Sequence, residues 1–99
     1  MGDPEKRIFK DNLFELFARI GKALASGRRL ELLELLAQKE CTVEELARLT
    51  DMSTANTSQH LQVLRNARLV DFRKDGLYAR YRLADERVFG VWQALRSLG

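Results

Sequence analysis

Side chains that can both donate and accept hydrogen bonds are concentrated between residues 54 and 62. An idle solvent-facing helix more often carries Glu and Lys at such positions. Asn, Gln, Ser and Thr instead match the donors and acceptors on base edges in the major groove of DNA. We therefore expect this segment to read a duplex, with a merely solvated face as the alternative. The outward-facing polar residues are Thr54, Asn56, Ser58, Gln59, His60 and Gln62.

Positive charge accumulates in the same half of the chain. The whole chain has a net charge of +3, but residues 53–82 contain six Lys or Arg and only two Asp or Glu. A local basic surface suits a polyanion such as DNA. Arg73 and Lys74 are predicted to contact the DNA backbone or the minor groove, and Arg80 and Arg82 to point outward beside them. The alternatives are a solvated basic face and a charged strand edge that discourages pairing with other strands.

Helix start signals divide the first two thirds of the chain into four helices. Asp3 precedes Pro4 as a predicted N-cap, and apolar residues at spacings of three and four extend this first helix to Leu24. A break at residues 26–27 separates it from a second helix, whose stripe of apolar residues continues to Ala37. A capping box at Thr42 predicts a third helix over about 43–49. Ser53 is the expected N-cap of a fourth helix that reaches about residue 66.

The apolar period changes from helical to alternating after residue 69. Asp75-Gly76 lies between two alternating segments and predicts the turn of a β-hairpin over about 69–83. On its second strand the expected inward residues are Leu77, Ala79, Tyr81 and Leu83. A final helix over about 85–98 follows, capped by Asp85. The predicted fold is mainly α with a β-hairpin, a winged helix-turn-helix of order α-α-α-α-β-β-α, with a strand of one or two residues at 41–42.

The chain of 99 residues suits one domain, 1–99, with a helix-turn-helix at about 43–66 and a wing at about 69–83. A thin core favours pairing with a second copy through the helices at about 4–24 and 85–98. The alternative is that the apolar stripes of these helices only complete the core of one chain. The predicted dimer residues are Phe9, Leu13, Leu16, Phe17, Ile20, Val88, Val91, Trp92 and Leu95.

The segment from Thr42 to Val70 resembles the ArsR family of bacterial repressors. Its most specific part is Ser58-Gln59-His60-Leu61-Gln62-Val63-Leu64, which is similar to a Ser-x-His-Leu-x-x-Leu recognition helix, and Tyr81-Arg82-Leu83 is similar to the family's wing. The resemblance implies a homodimer that reads an inverted-repeat operator and is released by a metal or redox signal. It adds Ala55 to the contacts and places His60 near the DNA backbone. The residues then predicted to bind DNA are Ser53, Thr54, Ala55, Asn56, Ser58, Gln59, His60, Arg73 and Lys74.

The chain departs from the family at helix ends and at the sensor positions. Asp51 and Arg68 stand where the family usually has Gly, and because Arg tolerates a left-handed backbone poorly, we expect the second corner to be built differently. The resemblance places Thr42 and Glu44 at the positions of a metal-binding cysteine pair. With one Cys and one His in the chain, no metal is expected. For Cys41 we expect a buried structural role, with a thiol sensor as the alternative.

Other function classes find little support. No apolar run is long enough to span a membrane and no signal peptide is evident, so we expect a cytoplasmic protein. Without a phosphate loop, a metal set or a nucleophile beside a spare histidine, we expect no enzyme activity and no cofactor. Two alternatives to a dimeric DNA-binding repressor stay open. One is a protein-interaction or dimerisation module, and the other is the N-terminal regulatory module of a longer thiol-responsive or sulfurtransferase-linked protein.

Overall fold

The computed structural model describes residues 3–99, which form five helices and a three-stranded sheet. The elements, in chain order, are α1 (Pro4–Leu24), α2 (Gly27–Gln38), β1 (Cys41–Thr42), α3 (Val43–Thr50), α4 (Thr54–Asn66), β2 (Val70–Asp75), β3 (Tyr78–Leu83) and α5 (Glu86–Leu98). This order confirms the predicted fold class. Among these helices none is long and apolar enough to cross a membrane.

Polar side chains start the helices where the sequence predicted. Asp3, Ser53 and Asp85 each accept a hydrogen bond from a backbone N–H in the first turn of the helix that follows. Thr42 and Glu45 form the reciprocal capping box of α3. Since the first four amides of a helix lack partners within it, these caps fix the starts of the helices that carry the exposed faces described below.

The sheet has the order β1-β3-β2 and is antiparallel throughout. Asp75 pairs with Tyr78, so the two-residue turn is Gly76-Leu77, one position later than expected. Of the two turn residues only Gly76 has a positive φ, 64°, the pattern of a II′ turn, which needs Gly first. The expected inward position of Leu77 was therefore wrong: its side chain is fully exposed at the tip of the hairpin.

The core lies where α2, α3 and α4 meet the sheet and the start of α5. Leu32, Leu46, Leu61 and Leu64 are completely buried there. Most of α1 lies outside this core, because every residue from 3 to 19 except Leu13 is exposed. The first helix thus projects from the body, while its last turn packs against it through Ala23.

Within residues 3–99, two residues other than glycine adopt the left-handed backbone conformation. Asp51 has φ 56° at the end of α3, and Arg68 has φ 61° after α4. The expectation that the corner at Arg68 is built differently was wrong. The amide of Leu69 still donates to the carbonyl of Leu64, and burial of Leu69 and Val70 holds Arg68 in this conformation.

Candidate nucleic-acid interface

The corner between α3 and α4 presents α4 to solvent in a fixed orientation. The buried hydroxyl of Thr50 donates to the Leu46 carbonyl at 2.7 Å, and that of Thr57 donates to the Ser53 carbonyl at 2.8 Å. With Leu61 buried below, the inner face of α4 has no freedom to rotate outward. Its opposite face is consequently the exposed one.

That exposed face contains most of the predicted base-reading residues. Their side chains form no hydrogen bond with any other group within residues 3–99, so their donors and acceptors are available to a ligand. The exposed polar residues of this kind are Thr54, Asn56, Ser58 and Gln59, and Ala55 lies exposed among them. Ser53 is also exposed, but its hydroxyl oxygen accepts from the Asn56 amide as the helix cap.

Gln62 and His60 differ from the rest of the predicted set. The Gln62 amide donates to Asn66 at 2.9 Å on the same helix face. His60 lies half-buried on the flank of α4, with its Nδ1 3.2 Å from Nη1 of Arg29. Burial, followed by the charges of Arg29 and Arg28, lowers the pKa of His60 from its usual value near 6.5. A lowered pKa favours the neutral form of the ring at pH 7.

The arginines of the hairpin are paired with carboxylates. Arg82 donates to Asp71 at 2.7 Å and Arg80 to Asp75 at 2.7 Å, and these bonds raise the pKa of both arginines. Arg73 pairs at 3.2 Å with Glu40, which precedes β1. The basic surplus counted along residues 53–82 is thus partly neutralised, in the case of Arg73 by an acid distant in sequence.

Lys74 is the hairpin cation that remains available. It is exposed and forms no ion pair with any residue in the described part of the chain. In the register of the hairpin it pairs with Ala79, one step from the turn. Among residues 3–99, Lys74 is therefore a positive charge without an ion pair close to the tip of the hairpin.

Apolar side chains on α1 and α5 are exposed on the single chain. Of the predicted dimer residues, Phe9, Leu16, Phe17, Val91 and Leu95 are exposed, whereas Leu13, Ile20 and Trp92 are half-buried against the core. Val88 is buried within its own chain, so little of it is left for a partner. Four further large apolar residues of these two helices are exposed but were not among the predicted dimer residues. No sequence pattern marks them, and only their solvent exposure in the structure identifies them: Ile8, Phe14, Phe89 and Leu98.

Cys41 is buried in β1, opposite Tyr81. Burial first, then the charge of Glu45, raises the pKa of its thiol, while Lys39 and Arg80 act against this. A raised thiol pKa lowers the fraction of reactive thiolate. Within residues 3–99, no group of three or more His, Cys, Asp or Glu side chains is arranged to hold a metal ion.

A family model described as "Bacterial regulatory protein, arsR family" matches residues 26–71. The chain is 47% identical over 89 residues to the HTH-type transcriptional regulator Rv0324 of Mycobacterium tuberculosis, an alignment that covers 87% of this chain and 39% of that protein. It is 37% identical over 76 residues to the transcriptional repressor SmtB homolog of Synechocystis, covering 77% of this chain and 58% of that protein. The chain thus spans less than two thirds of these two relatives.

One similar solved structure matches almost the whole chain. It is the solution structure of the homodimeric winged helix-turn-helix DNA-binding domain of Mb0332 from Mycobacterium bovis, a possible ArsR-family transcriptional regulator. The TM-score is 0.89 at 39% sequence identity, and the match covers 99% of this chain and 88% of that one. The likeness includes both α1 and α5.

Proposed function

The chain belongs to the arsR family of bacterial regulatory proteins, and from this premise we propose that it is a homodimeric, sequence-specific DNA-binding repressor of transcription. The names of its relatives support regulation of transcription rather than catalysis. A DNA-binding role would place it with the chromosome in the bacterial cytoplasm.

The unpaired polar face at the start of α4 is the observation that carries this proposal. The side chains of four exposed residues there form no hydrogen bond within the described part of the chain: Thr54, Asn56, Ser58 and Gln59. A helix of this kind fits the major groove, where such side chains distinguish bases by paired donor and acceptor contacts. The first amides of α4, near Ser53 and Ala55, would meet a phosphate at the positive end of the helix.

We assign the hairpin to the DNA backbone beside that groove. Lys74 is exposed and unpaired in the described structure, so it can reach a phosphate at no cost in broken ion pairs. Arg73 must first leave Glu40. Phosphate contacts of this type orient a protein on the duplex without reading its sequence.

Dimerisation would cover the apolar faces of α1 and α5. Phe9 and Phe17 are more than half exposed on a helix that projects from the body, and large aromatic side chains left in water cost about 1.5–3 kcal/mol each relative to burial. A second copy supplies the same surface by two-fold symmetry. Two α4 helices could then enter successive major grooves about 34–36 Å apart, which fits an inverted-repeat operator.

Cys41 is proposed as a structural residue, on the strength of its burial and its raised pKa. We propose no metal cofactor, because the residue types at the family's cysteine-pair positions, Thr42 and Glu44, are poor ligands for soft metals.

Selection of bound sequences from a random duplex pool tests the proposal. We expect an inverted repeat to emerge, and the affinity for it to fall linearly with salt on logarithmic axes, as release of counterions requires. A reporter gene placed behind the selected sequence should be repressed. A folded sample that binds no duplex at low salt would refute DNA binding, and stimulated transcription would refute repression.

A further inference from the structure

Arg29 bonds the end of α1 to the middle of α4 through all three of its guanidinium nitrogens. Its Nε donates to the Ala23 carbonyl at 2.6 Å and its Nη2 to the Lys22 carbonyl at 3.0 Å. Its Nη1 lies 3.2 Å from Nδ1 of His60. Both carbonyls belong to the last turn of α1, and that of Lys22 also accepts from the capping amide of Ala25 at 3.2 Å.

Arg29 is stabilised by contacts with other helices rather than by its own. It lies in the first turn of α2, where the helix dipole disfavours a positive charge. It forms no ion pair with a carboxylate within residues 3–99, unlike its neighbour Arg28, which pairs with Glu31 at 3.2 Å. What stabilises Arg29 instead is the negative end of the α1 dipole and the imidazole of His60.

This contact decides which nitrogen of His60 carries the proton. A guanidinium group only donates hydrogen bonds, so Nδ1 must accept and therefore bears no hydrogen. The neutral ring then has its single N–H at Nε2. No residue in the described chain accepts a hydrogen bond from Nε2. Every buried side-chain nitrogen in the described chain has a hydrogen-bond partner, so Nε2 is not a buried atom. The Nε2–H group is therefore open to solvent.

We propose that Arg29 is a positioning residue, which holds His60 so that its Nε2–H donates to a phosphate of the bound duplex. This rests on the proposed function. A phosphate is the partner because His60 lies on the flank of α4, beside the face that would read bases, and because a phosphate oxygen accepts from a neutral N–H group. The same guanidinium ties this donor to the end of the proposed dimerisation helix α1.

Imidazole nitrogen NMR on the ¹⁵N-labelled full chain tests the first step without DNA. We expect the free protein at pH 7 to show His60 protonated at Nε2 alone. Arg29→Gln should give a mixture of tautomers and a higher His60 pKa, and Arg29→Lys should restore the Nε2–H form in part. Arg28→Gln is the matched control, because it removes the same charge one residue away and should leave the tautomer unchanged. An Nδ1–H form in the unaltered protein would overturn the proposal.

Titration of the selected duplex tests the second step. Since a hydrogen bond to a charged acceptor is lost, Arg29→Gln should weaken binding about tenfold and Arg28→Gln less. Equal losses in the two variants would overturn the role of Arg29 while leaving DNA binding intact. Failure of the unaltered protein to bind any duplex would refute the proposed function, and with it the phosphate contact.

Two substitutions of His60 separate positioning from folding. The short amide of Asn reaches only the place of Nδ1, so His60→Asn keeps an acceptor for Arg29 and loses the outward donor. The longer Gln places its amide near Nε2, so His60→Gln keeps that donor. We expect the Asn variant to melt near the unaltered protein but bind about tenfold more weakly, and the Gln variant to bind better than the Asn variant. Full affinity of a folded Asn variant would overturn the phosphate contact.

Discussion

Nη2 of Arg73 lies 3.2 Å from Oε1 of Glu40, an ion pair that joins the hairpin to the segment between α2 and β1. Both side chains are more than a third exposed, so the pair contributes at most about 1 kcal/mol to folding. Its larger consequence is for binding, since the carboxylate competes with any phosphate that approaches Arg73.

Glu40→Gln should therefore strengthen DNA binding. Release of Arg73 allows one more phosphate contact, so we expect affinity to rise several-fold at low salt and the slope of log affinity against log salt to steepen by about 0.9. The measurement is a duplex titration over a range of salt concentrations. Asp11→Asn is the control, because it also frees an arginine, Arg7, but on the projecting helix α1. Equal gains in both variants would show that only net charge matters.

A second pair of variants should distinguish residues that read bases from residues that contact the DNA backbone. Gln59→Ala should cost about 1–3 kcal/mol on the selected sequence and relax the sequence preference. Lys74→Ala should weaken selected and random duplexes alike. Competition titrations with both duplexes measure the difference, and Gln93→Ala on α5 serves as the control. Equal losses on both duplexes for Gln59→Ala would contradict base reading by α4.

Charge placed on the apolar face of α1 should dissociate the dimer. Phe17→Asp introduces a carboxylate where a partner would have to desolvate it, which costs several kcal/mol. We expect sedimentation equilibrium to give the mass of a monomer and DNA affinity to fall with it. Leu77→Asp makes a similar change at the fully exposed hairpin tip and should leave the mass unchanged. A dimeric Phe17→Asp protein would place the interface elsewhere.

Removal of the backbone strain at Arg68, which has a positive φ, should stabilise the fold. Gly adopts a positive φ without the penalty that a Cβ brings, so Arg68→Gly should raise the free energy of unfolding by about 1 kcal/mol. Thermal and urea unfolding both measure this. Arg68→Ala removes the same charge but keeps a Cβ, and should give no gain. A stabilised Ala variant would assign the effect to charge rather than to the backbone.

Stability should fall as the pH drops below about 6.5. The pKa of His60 is lowered on folding, so in this range the unfolded chain binds a proton that the folded chain does not. The free energy of unfolding should be level above pH 7 and decline towards pH 5, as followed by urea titration. His60 is the only histidine, so the free energy of unfolding of the His60→Gln variant should change little between pH 7 and pH 5. An unchanged slope would assign the decline to other groups.

Much of the fold followed from local sequence patterns. The capping box at Thr42, the N-cap at Ser53 and the change from helical to alternating apolar spacing depend on residues a few positions apart, so they could be read directly from the chain. The exposed polar face of α4 followed for the same reason, because helical periodicity places Thr57, Leu61 and Leu64 inward and residues 54–56, 58 and 59 outward.

The electrostatic state of the candidate interface was decided only in three dimensions. Arg73 meets Glu40 across 33 positions of sequence, and Arg29 meets His60 across 31. No local pattern relates such residues, since their distances depend on how the sheet and helices pack. Counting charges along the chain therefore overstated the free positive charge of the hairpin. It also gave no sign that an arginine in α2 sets the proton position on a histidine of α4, because hydrogen-bond partners are chosen by tertiary contact.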